Sequence, residues 1–303
     1  MLLLHLVPVG LSLPKKGRIE FPGSALTPRQ ALQHAATGPR HELDWDRLGP
    51  AGLPRRLAAG IGTDMAAEWT SIEAIREERR YASVQGEAFV FIATDTADGL
   101  RAATLVAERY QDSAIRYLDE PSAARRGELL EPGDVAVCRI PDLDLGKLTP
   151  TSTTWRSLGT VGHLVADTAT QSPRGEWHVI LHLSGGYKAM IPYLMVLAEA
   201  VHSRLRDNRP DSAHRPRIRA VVIHEDSIGR ESPEPPLVID VSVRSIRRDL
   251  LTFTKKLAAA ARTDSDLVDA GVADDLLGLF TEVVEGTQKR RLTSAGLITV
   301  SVL

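Results

Sequence analysis

The sequence predicts an α/β chain: an open, mainly parallel sheet with helices on both faces, followed by a small C-terminal helical or winged segment. Three observations predict it. Continuous apolar runs of strand length, such as AFVFIA at 88–93, suit parallel strands covered on both sides. Segments with helical periodicity alternate with those runs, as βαβ units require. The connections after several runs are rich in Gly, Ser, Thr and Asp, residues of tight, accessible turns.

Taken in order, residues 2–9 read as a buried first strand and lead into a loop with Gly10 and Ser12. Residues 27–36 predict a helix, with Thr27 as N-cap and Pro28 at the first helical position. Residues 37–62 are rich in Gly, Pro and charge and read as loop with one short helix. A polar helix is expected over 69–80. The run 88–93 is a second strand, TDTADG at 94–99 its loop, and 100–110 the next helix. Short strands are expected at 114–118 and 135–140, a loop at 141–152, and a helix at 155–170. WHVILHL at 177–183 is a strand, followed by SGGYK and a long, weakly charged helix over 189–206. Strands at 218–224 and 237–243 complete the sheet, with loops at 207–216 and 225–236. Beyond about 245 the character changes: helical stretches at 247–261 and 272–284 precede a strand-like apolar ending at 297–303.

Composition bounds the function. The chain has 303 residues, 43% of them hydrophobic and 25% charged, enough for a sizeable core. Its formal net charge of −2 excludes a generally basic nucleic-acid coat, so a polyanion must bind in a local pocket. The single cysteine, Cys138, excludes an internal disulfide and a Cys-rich zinc site, and points to a reducing, cytoplasmic setting. The apolar start lacks the basic flank and cleavage site of a secretory signal. No run approaches the roughly 20 apolar residues of a membrane span.

The strongest chemical signal is Ser184-Gly185-Gly186-Tyr187-Lys188, between an apolar strand and a long helix. Two glycines allow positive φ and close approach of backbone to a ligand. Unpaired N–H groups at a helix start favour an anion, Lys188 adds a full charge, and Ser184 can donate or accept. The pattern is neither a P-loop nor a dinucleotide fingerprint. Val9-Gly10-Leu11-Ser12 and Thr94-Asp95-Thr96-Ala97-Asp98-Gly99 are further polar loops at strand ends, although Thr96 or Asp98 would equally serve as a helix cap. Three such loops at one sheet edge would form a cleft.

In this order the loops resemble those of the CRISPR-associated Rossmann-fold (CARF) sensor proteins. VGLS at 9–12 stands where that family has a Gly-Thr-Ser-like loop, TDTADG at 94–99 matches a Ser/Thr-Asp-Thr loop, and SGGYKA at 184–189 matches Thr-Gly-Gly-x-Lys. Leu11 and Ser184 depart from the usual Thr. The resemblance covers about residues 1–245, leaving 246–303 as a C-terminal helical segment with a wing or strand, a candidate link to an effector outside this chain. It implies a Rossmann-like sensing domain and a homodimer that holds a cyclic oligoadenylate across its two-fold axis, cyclic tetra-adenylate being favoured. The implied ligand-binding residues are Gly10, Leu11, Ser12, Thr94, Asp95, Thr96, Ser184, Gly185, Gly186, Tyr187 and Lys188. No cofactor, metal or membrane is implied.

Two alternatives accompany that expectation. One is a metal-independent ring nuclease, in which an adenosine 2′-OH attacks the neighbouring phosphate, with Lys188, Ser184 and Ser12 as candidate catalytic residues. The other is a ligand-controlled transcription regulator using the C-terminal helices and the basic run Lys289-Arg290-Arg291, which reads more simply as a solvated turn, so DNA is not the expected partner. Arg209 and His214 have the spacing of a HEPN ribonuclease motif, but lie in a Pro-flanked loop rather than at a helix start. His178, His182 and His224-Glu225-Asp226 lack a visible third metal partner. Cys138 reads as core.

Overall fold

The computed structural model describes residues 1–10, 19–21, 24–26, 66–110, 115–118, 129–143, 150–171, 176–186, 188–208, 217–224, 236–244, 246, 267–269, 280–283 and 289–302. The chain opens with β1 (Leu2–Pro8), buried along its whole length. A short hairpin of β2 (Ile19–Phe21) and β3 (Ser24–Leu26) follows. Next come α1 (Ala67–Glu77), β4 (Glu87–Ala93), α2 (Ala97–Ala107), β5 (Arg116–Leu118) and β6 (Val135–Arg139). They are followed by α3 (Ser152–Gln171), β7 (Trp177–His182), α4 (Ile191–Asn208), β8 (Arg217–Ile223) and β9 (Val238–Val241). The strands β10 (Leu267–Asp269), β11 (Thr281–Val283) and β12 (Lys289–Leu292) form a small antiparallel sheet, and α5 (Ser294–Val302) comes last.

Seven strands make one sheet in the order β5-β6-β4-β1-β7-β8-β9. Every neighbouring pair is parallel except β8 with β9. The chain leaves β1 for β4, β5 and β6 on one side, then returns to β7 on the other. The β1–β7 boundary is therefore the topological switch point, where ligands of open α/β sheets bind. The expected Rossmann-like α/β architecture is the one observed.

Strand alternation assigns the two faces. Leu2, Leu4 and Leu6 of β1 join Val90, Ala136, Val179 and Leu181 in a cluster beneath α3, α4 and α5. Val7, Phe89, Phe91, Val135 and Val137 point the other way and pack with Trp69 and Ile72 of α1 and Leu105 of α2. Burying each such Leu or Phe side chain contributes about 1.5–3 kcal/mol, so the central strands anchor the fold. Cys138 is a fully buried core residue, as expected, and burial pushes its thiol up to about 12.

Helix α1 is less polar than its composition suggests. Trp69, Ile72 and Ile75 recur every three residues and are buried, but so are Glu68, Thr70, Ser71 and Ala74. Of the ending at 297–303, expected as a strand, residues 297–302 belong to helix α5. Thr293 caps it, its Oγ1 accepting from the Gly296 N–H at 3.1 Å. The helix lies against α3 where Gly159 and Gly162 have no side chain. A Cβ on Gly159 would come 2.4 Å from the Ser301 Cβ, and one on Gly162 2.8 Å from Val302 Cγ2. β-branched residues that favour a strand in isolation are thus overridden by packing. Arg204 of α4 ties down the end of α5, donating to the Val302 carbonyl and to Asp167 at 2.6 Å. The helix expected over 272–284 is corrected at Thr281–Val283, which pairs as a strand with β12. The expected helices at 27–36 and 247–261, the 37–62 segment, the Arg209 to His214 motif, and Glu225 with Asp226 lie outside the described residues. Among the described residues no helix is long and apolar enough to cross a membrane.

Candidate anion-binding site

The three singled-out loops follow β1, β4 and β7, which are neighbours in the sheet, so they share one carboxyl edge. Gly10 and the Ser184–Gly186 turn come into direct contact there. A Cβ on Gly10 would lie 2.8 Å from the Gly186 carbonyl oxygen, so only glycine permits the approach. Gly186 has φ +83°, a left-handed backbone that other residues adopt at a cost.

The two loops share an acceptor. Glu68 of α1 is fully buried. Its Oε1 accepts from the Gly10 N–H at 2.9 Å and from the Gly186 N–H at 3.2 Å. Two backbone N–H groups converge on one carboxyl oxygen, the arrangement by which backbone nests hold phosphates. Gly185 makes room for it, since a Cβ there would come 2.4 Å from Glu68 Cγ. Gly186 was expected among the ligand-binding residues. Its amide is engaged by Glu68, which was not among the expected residues. No local signal marked it, because a Glu one position before a buried Trp looks like the edge of an apolar stripe.

The other site candidates divide. Ser184 Oγ accepts from the Ile223 N–H at 2.5 Å, so part of its capacity braces β8. Lys188 is exposed at the start of a short 3-10 turn, Lys188–Met190, that precedes α4. In the β4 loop, Thr96 is the N-cap of α2, its Oγ1 accepting from the Gly99 N–H at 3.0 Å. Thr94 is buried, with its Oγ1 2.9 Å from that of Thr96. Asp95 accepts from the Asp142 N–H at 2.9 Å and faces Arg139 at 3.4 Å, tying its loop to the end of β6. Leu11, Ser12 and Tyr187 lie outside the described residues.

Behind the site runs a buried polar chain. Ser71 Oγ lies 2.7 Å from His182 Nδ1, His182 Nε2 lies 2.9 Å from His5 Nδ1, and His5 Nε2 faces Glu87 at 3.4 Å. Arg76 clamps Glu87 with two guanidinium nitrogens. Burial alone would raise the Glu87 pKa, but the hydrogen bonds from His5 and Arg76 outweigh it and hold the carboxyl at about 2. Burial depresses His5 despite Glu87, and depresses His182 further, with the neighbouring His5 and Arg219 acting in the same direction. Both shifts favour the neutral imidazole. The chain ends at a cavity of about 590 Å3 on the opposite edge of the sheet, lined by Arg76, Glu87, Phe89 and Tyr110 among others. His178 bonds its neighbour Glu176 instead of His182. Among the described residues no group of three His, Cys, Asp or Glu gathers as a metal site.

Residues 63–205 match the family model described as CRISPR-associated protein (Cas_APE2256), just under half of the chain. The matched segment includes Glu68, the β4 loop and the Ser184–Gly186 turn. A search of curated proteins finds no match.

Proposed function

We propose that the chain, which is similar over residues 63–205 to this CRISPR-associated family, is a CARF-type sensor that binds a cyclic oligoadenylate at the carboxyl edge of β1 and β7. One observation carries the reading: the Gly10 and Gly186 amides converge on a single carboxyl oxygen at the switch point. That geometry accepts an anion, and the chain's net charge of −2 requires attraction to be local. Exposed Lys188 supplies a full positive charge at the mouth of the same turn.

A homodimer completes the site in this proposal. A ring of repeating adenylates has rotational symmetry, and two copies of one amide-lined turn about a two-fold axis match it without further devices. Cyclic tetra-adenylate is the favoured ring.

The test is a titration of the chain with cyclic tetra- and hexa-adenylate. Saturable binding is expected, weakened roughly tenfold or more by Lys188→Ala, the loss of one charge-assisted contact per chain. No binding of either ring overturns the proposal.

A further inference from the structure

Glu68 stands where an anionic ligand of this site would place an oxygen. The residue is fully buried, its Oε1 takes both the Gly10 and the Gly186 amides, and Gly185 is the glycine that admits it. Each N–H carries one hydrogen directed at one acceptor, and a phosphate oxygen beside an ionised carboxylate is repelled. A phosphate and Glu68 therefore cannot both hold this pair of amides.

We propose that Glu68 is an internal competitor for the ligand: it fills the amide pair when no ligand is bound, and an entering phosphate must displace it. The identity of the physiological anion rests on the ring-binding reading above, whereas the competition applies to any phosphate. The displacement assigned here is of the Glu68 carboxylate and not of α1. Trp69 and Ile72 fix the helix in the core and Ser71 holds His182, which leaves the Glu68 side chain, through its own rotatable bonds, as the part that yields. The arrangement does two things. It holds the Gly10 and Gly186 amides side by side before a ligand arrives, so these two donors need not be brought together on binding. It also rejects single small anions, since only a ligand with several further contacts compensates for the lost Glu68 hydrogen bonds.

The experiment follows the Gly10 and Gly186 amide resonances by 1H–15N NMR while tripolyphosphate, then cyclic tetra-adenylate, is added to the full chain. It compares wild type with Glu68→Gln, which keeps the size and an acceptor oxygen but removes the charge. The Gln variant is expected to take tripolyphosphate roughly tenfold more tightly, because a neutral acceptor competes less well for the amides. Equal or weaker binding by a variant with an unchanged melting midpoint overturns the inference and makes Glu68 a brace only. Wild type supplies a reading that does not depend on the variant folding. Its Glu68 carboxyl 13C resonance must move together with the two amides, and amide movement with that resonance unmoved also overturns displacement. If tripolyphosphate moves all three resonances and the ring moves none, the competitor stands and the ring-binding proposal falls. No response to either probe in either protein overturns the competitor.

Discussion

His5 Nδ1 and His182 Nε2 lie 2.9 Å apart across adjacent strands, with neither residue exposed to solvent. Ionised Glu87 can only accept, so His5 donates Nε2–H to it and keeps Nδ1 as an acceptor. His182 must then donate Nε2–H to His5, leaving its own Nδ1 to accept the Ser71 hydroxyl. The hydrogen bonds point one way, from α1 through the sheet to Glu87.

This arrangement makes stability fall in mild acid. Both histidines have folded-state pKa values depressed below the unfolded value of about 6.5. The unfolded chain then binds more protons, so stability is complete above that pH and is lost as the pH falls towards the folded-state values. The slope is up to about 1.4 kcal/mol per pH unit for each ring. Glu87, held at about 2, adds a second loss as the pH drops through the usual carboxylate range. Urea midpoints measured between about pH 7.5 and about pH 5 should decline, and a flat profile across that window rules out neutral buried imidazoles.

Ser71→Ala leaves His182 Nδ1 buried without its hydroxyl donor. A loss of about 1–3 kcal/mol is expected by urea unfolding at neutral pH. A loss under about 0.5 kcal/mol would show that the serine does not serve the ring.

Gly185 and Glu68 should be coupled. Gly185→Ala drives a Cβ into Glu68 Cγ, an overpacking expected to cost about 1–3 kcal/mol. In a Glu68→Ala background the obstructing atoms are gone, so the same substitution should cost less. A double-mutant cycle reads the difference, and simple additivity contradicts the contact.

The C-terminal helix α5 should be part of the sheet domain's stability. Ile298 is fully buried in the cluster shared by β1, α3 and α4. Ile298→Ala is expected to destabilise the main unfolding transition by about 2–5 kcal/mol. An unchanged transition would make α5 an independent appendage.

The sheet was legible in the sequence because its central strands are buried on both faces and read as unbroken apolar runs. Residues 88–93 and 177–183 are found within one residue of their observed strands, β4 and β7. Position at the carboxyl edge was legible for Gly10 and the Ser184–Gly186 turn for the same reason. Glu68 was not, since its role depends on a contact 118 residues away in the chain. Helix α5 was misread because Val and Ile dominate its composition, and its packing against Gly159 and Gly162 is also long-range. Thr293 before Ser-Ala-Gly was the one local sign of a helix start there.

In the proposed sensor, two copies of the Gly10 and Gly186 amide pair hold one ring. Native mass spectrometry of the chain with excess cyclic tetra-adenylate measures this directly. One ring per pair of chains is the predicted species, reduced in the Lys188→Ala variant. One ring per single chain, or chains with no ring at all, would contradict it.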